Sequence, residues 1–80
     1  MIKTLTRKEE TFNRFISNLG LTNVYDSFII HVPSGPKFIK LNEFDEIEVY
    51  KNHHSELIKV VIMDEYNDDL DLFLKITRGI

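Results

Sequence analysis

Thr6-Arg7-Lys8-Glu9-Glu10-Thr11-Phe12-Asn13-Arg14-Phe15-Ile16-Ser17-Asn18-Leu19-Gly20 is the stretch that decides the fold. Thr6 and Glu9 form a capping box: the threonine hydroxyl accepts from the Glu9 amide, and the glutamate reaches back to the Thr6 amide. Phe12, Phe15, Ile16 and Leu19 then recur at the i, i+3, i+4, i+7 spacing that aligns side chains along one side of a helix. Gly20 supplies the left-handed residue that often ends one. The reading is an amphipathic helix from about Arg7 to Leu19, its other face basic through Arg7, Lys8 and Arg14.

After Gly20 the period changes to two. Tyr25 to Val32 is aromatic and β-branched, with Phe28, Ile30 and Val32 on one side. Pro33-Ser34-Gly35-Pro36 reads as a turn whose prolines donate nothing to a ladder. Lys37 to Leu41 is a short strand, and Asn42 to Asp45 is polar enough to turn. Glu46 to Lys51 alternates, Ile47 and Val49 against Glu46, Glu48 and Tyr50. Asn52-His53-His54-Ser55 is another turn. Leu57 to Met63 is apolar on both sides apart from Lys59, as in a central strand.

Leu70, Leu72, Leu74 and Ile76 alternate strictly, which aligns them on a strand and spreads them around a helix, so strand is the preferred reading. Asn67, Asp68, Asp69, Lys75, Arg78 and Gly79 would also cap a helix well, which stands as the alternative. The expected fold is therefore α+β: an N-terminal amphipathic helix on a mostly antiparallel sheet of four to five strands, in one domain over residues 1–80. One helix covers one sheet face. The other face would carry Tyr25, Ile29, Phe38, Tyr50, Val61, Met63 and Phe73, an apolar area suited to a partner or a second copy.

Composition narrows the function classes. There is no cysteine, so disulfides and thiolate metal sites are excluded, and a reducing cytosol is the expected setting. No secretory signal is visible, and no apolar run approaches the roughly 20 residues that span a bilayer, so no membrane partner is expected. The glycines, Gly20, Gly35 and Gly79, make no phosphate-binding loop, and there is no nucleophile elbow. His53 and His54 diverge and have no third ligand at zinc spacing; His31 stands alone. Asp64 to Asp71 fails the calcium-loop pattern, with Tyr66 at position three, Asp69 where glycine is needed and Lys75 where glutamate is needed. No catalytic residue, metal or cofactor is expected.

The net charge of −3 conceals an asymmetry. Residues 1–42 carry six basic groups against three acidic, whereas residues 43–71 carry ten acidic groups against two lysines. Such an acidic middle opposes direct nucleic-acid binding, which needs clustered cations, and favours a basic partner. The candidate contact residues are Glu43, Asp45, Glu46, Glu48, Asp64, Glu65, Asp68, Asp69 and Asp71, with Tyr50 and Phe73 as apolar anchors. Glu46 and Glu48, two apart on a strand, project from one face about 6.7 Å apart, comparable to phosphates along a nucleic-acid strand.

In size, α+β pattern and these carboxylates the chain resembles the small cysteine-free acidic proteins with which phages disable host proteins by DNA mimicry. Their targets include nucleoid-associated proteins such as HU, uracil-DNA glycosylase and nucleases of defence systems. The resemblance implies a non-catalytic inhibitor in the host cytoplasm that competes with DNA for a basic nucleic-acid-binding host protein. The alternative is an assembly module that self-associates, as a homodimer, through its exposed sheet face.

Overall fold

A computed structural model describes residues 6–52, 55–63, 66 and 68–80, with Ser55 described by its backbone alone. The readings of His53, His54, Asp64, Glu65 and Asn67 lie outside the described residues.

Helix α1 spans Arg7–Leu19. Its capping box is closed in both directions: the Glu9 amide donates to Thr6 Oγ1 at 3.1 Å and the Thr6 amide to Glu9 Oε1 at 3.4 Å. Gly20 ends it at φ +64°, and the following Leu21 amide returns to the Ile16 carbonyl at 3.2 Å. Phe12, Phe15 and Ile16 are buried. Phe12 meets Phe28 edge-on, ring centroids 5.9 Å apart, and so seats the helix on the sheet.

The sheet is an antiparallel meander in the order β1 (Thr22–Val24), β2 (Ser27–Val32), β3 (Gly35–Leu41), β4 (Glu46–Asn52) and β5 (Ser55–Ile62). Phe28, Ile39, Val49 and Lys59 lie in one cross-strand row, and Leu41, Ile47 and Val61 in the next. These rows face the helices. Ile30, Ile39, Ile47, Val49, Val61 and Met63 are buried there with Phe15 of α1. Lys37 is buried on the same face, and its ammonium is satisfied by Ser34 Oγ and the Gly35 carbonyl, each at 3.2 Å.

Several expectations are corrected. Residues 69–77 form a second helix, α2 (Asp69–Thr77), where the alternation predicted a strand. Asp68 caps it, its side chain accepting from the Asp71 amide at 2.8 Å. Leu72 and Ile76, four apart, enter the core, while Leu70 and Leu74 turn to solvent. The fifth strand is instead β1, short and formed just after α1. Tyr25 sits in the β1–β2 turn with a positive φ of 57°, and β3 takes in Pro36, opposite His31.

From Lys59 onward the side chains of β5 are shifted by one from the expected faces, and a β-bulge opposite Val49 and Tyr50 separates them from Leu57, which faces outward beside Tyr50. Val61 and Met63 are buried, and Val60 and Ile62 occupy the outer face. The cause is Lys59. Its ammonium donates to the carbonyls of Lys75 and, at 2.9 Å, Arg78. Those carbonyls end α2, so Lys59 must face the helices, and Val61 and Met63 follow it by strand parity.

Candidate protein-binding surface

Both helices cover one face of the sheet, which leaves the other uncovered among the described residues. The registers set Ile29, Phe38, Tyr50 and Leu57 side by side across β2 to β5 on that face. Ile29, Phe38 and Tyr50 are half-buried by their neighbours and Leu57 is exposed. The adjoining row is Lys40, Glu48 and Val60, and beyond it Glu46 stands opposite Ile62. The face is thus an apolar band with carboxylates at one end.

Those carboxylates are held in place. Asn42 opens the β3–β4 turn with its side-chain oxygen accepting from the amides of Phe44 (2.8 Å) and Glu46 (2.9 Å), an Asx-type arrangement. Its amide nitrogen donates to Glu46 Oε1 and Glu48 Oε2, both at 3.3 Å. The Tyr50 hydroxyl donates to Glu48 Oε1 at 2.8 Å. Lys40 lies 5.5 Å from the Tyr50 ring centroid and 3.8 Å from Asp26. Glu46 and Glu48 therefore present themselves as a fixed pair beside an aromatic ring.

The bond to Glu48 has a measurable consequence. It is the largest cause of a raised Tyr50 pKa, followed by burial and then by the charges of Glu48 and Asp26. The folded protein thus keeps the Tyr50 proton at pH values where the unfolded chain releases it. The resulting stability is full below the ordinary tyrosine value of 10.0 and is lost as pH rises through the raised one. In an absorbance titration of tyrosinate, Tyr50→Phe should remove a transition above 10.0 and Glu48→Gln should lower that transition. A titration curve unaltered by Glu48→Gln would exclude this contact in solution.

The remaining acidic candidates lie elsewhere. Glu43 and Asp45 sit in the β3–β4 turn and, with Glu9 and Asp26, line a cleft of about 500 Å³ whose wall holds no lysine or arginine among the described residues. Asp68, Asp69 and Asp71 gather at the start of α2, on the helix side of the sheet, where carboxylates complement the helix dipole. Asp69 Oδ2 accepts from the Asn18 side-chain Nδ2 at 2.8 Å. Asp68 and Asp69 share a cleft of about 590 Å³ with Arg7, Lys8 and Arg14. Phe73 is half-buried against the core. The fold therefore joins Glu46, Glu48 and Tyr50 on the uncovered face and puts the α2 acids on the other side, opposite cations of α1.

Sequence reasoning did not single out Asn42, the residue that clamps the glutamates, although an asparagine opening a turn is a signal for such a bond. Among the described residues, no cluster of histidine and carboxylate side chains could hold a metal, and no helix is long and apolar enough to cross a membrane. No family model, curated protein or solved structure matches the chain.

Proposed function

We propose that this protein is a non-catalytic inhibitor whose uncovered sheet face binds a basic nucleic-acid-binding protein and competes with nucleic acid for it. The observation that supports this reading is the Glu46–Glu48 pair, fixed by Asn42 and Tyr50 at the end of an uncovered apolar band. Carboxylates that are already ordered lose little entropy on meeting arginine or lysine, and such charge-assisted bonds are the strong ones. The neighbouring Phe38, Tyr50 and Leu57 supply the apolar contact from which most interface energy comes. Asp68 and Asp69, which share a cleft with Arg7, Lys8 and Arg14, belong to the protein's own electrostatics in this reading.

The test is binding to a panel of purified basic DNA-binding proteins, an HU-type nucleoid protein among them, with duplex DNA as competitor. The wild type should bind at least one member, DNA should displace it, and affinity should fall with salt. The double variant Glu46→Lys/Glu48→Lys should bind about 10- to 100-fold more weakly with a flatter salt dependence. Equal affinity of the double variant, or binding that DNA does not disturb, would overturn the reading.

A further inference from the structure

Strand β5 has β4 on one side and no strand on the other among the described residues. The opposite edge, β1, is only three residues long, a common way of blunting an edge. β5 is longer, and its irregular part lies at its start, where Glu56 takes a positive φ of 55° and Ile58 is the extra residue of a β-bulge opposite Val49 and Tyr50. From Lys59 to Ile62 the register is regular and there is no proline, and Lys59, the one charged side chain of that stretch, is turned inward onto the carbonyls that end α2. Ile58, Val60 and Ile62 remain 38%, 44% and 54% exposed.

The sequence of this edge is nearly palindromic. Read from Val60 in either direction, Ile58-Lys59-Val60-Val61-Ile62 presents an isoleucine two residues away. We propose that two copies of this chain pair antiparallel along β5, about a two-fold axis at Val60, into one continuous ten-stranded sheet. Such pairing sets Val60 opposite the second copy's Val60 on the uncovered face, and brings Ile62 against the second copy's exposed Ile58 at the bulge. It also gives the outward backbone groups of both strands their partners. Lys59 falls opposite the second copy's Val61 with its charge already taken up by α2, so no like charges meet at the seam. The seam is short, which puts the dimer at the weak end of specific interfaces, with a dissociation constant of roughly 1–100 μM. The pairing uses the strand's edge, leaves Glu46, Glu48 and Tyr50 uncovered, and does not depend on the function proposed above.

Sedimentation equilibrium of the purified protein over micromolar to millimolar concentrations tests it. A reversible monomer–dimer equilibrium is expected, and Val60→Lys, with its circular dichroism spectrum unchanged, should weaken it by about tenfold or more. Because the chain has no cysteine, Val60→Cys provides a second readout: mild oxidation should link two copies through that position, whereas Phe44→Cys, in the β3–β4 turn, should not. A wild type that stays monomeric throughout, its edge then left to a foreign strand, would overturn the proposal. So would a dimer that Val60→Lys leaves intact.

Discussion

Leu72→Ala should lower the stability of this protein by about 2–5 kcal/mol, while Leu74→Ala, two residues on, should change it by no more than about 0.5 kcal/mol. Leu72 is fully buried against the sheet and Leu74 is 48% exposed on the far side of α2. The same contrast should separate Ile76→Ala, damaging, from Leu70→Ala, nearly neutral. For a domain of this length the total folding free energy is roughly 4–12 kcal/mol, so the loss at Leu72 consumes a large share of it. Urea denaturation followed by circular dichroism measures all four. A strand at this position would put the four aliphatics on one face and make their losses alike, so equal effects would refute the helix.

That contrast also locates where the sequence was legible. The capping box and the 3.6-residue stripe of α1 are local signals, made by residues within one or two turns of each other, and the helix follows them at both ends. β2, β3 and β4 alternate because one of their faces meets helices and the other solvent, and the antiparallel order follows from short connections. Residues 69–77 differ. Their alternation of aliphatics fits two structures, and the choice rests on a distant fact: Leu72 and Ile76 join a core that the sheet supplies through Ile47, Val49 and Val61. The local caps, Asp68 above all, carried the right answer but were outweighed by the period.

The faces of β5 are tied to the same helix. The sequence reads Leu57 to Met63 as apolar on both sides apart from Lys59 and puts Val61 and Met63 outward, a phase that by strand parity carries Lys59 outward too. With α2 in place, the carbonyls of Lys75 and Arg78 hold Lys59 inward. The candidate surface inherits the difference. Tyr50, Glu46 and Glu48 were placed by the alternation of β4 alone, whereas Val60 and Ile62 joined the uncovered face through Lys59.

Lys59 is therefore the residue whose replacement should be most informative. Lys59→Met removes the donor that serves two carbonyls at the end of α2, leaving them to find other partners. It also removes an ammonium whose pKa is held below the ordinary lysine value, first by burial and then by the charge of Arg78. The two effects oppose each other, and a net loss of about 1–2 kcal/mol is expected. Lys59→Glu has no such compensation. A carboxylate would face carbonyl oxygens at the negative end of a helix, and the expected loss is about 3 kcal/mol or more. Helical circular dichroism and amide exchange should report the damage in α2 first, with the meander holding longer. Val60→Lys supplies the internal comparison, since its side chain leaves by the other face and meets solvent. If Lys59→Glu were tolerated as well as Val60→Lys, the strand would have to be shifted by one residue. Val60 and Ile62 would then be buried and Lys59 would stand on the uncovered face, a charged guard on the edge that the dimer requires to be bare.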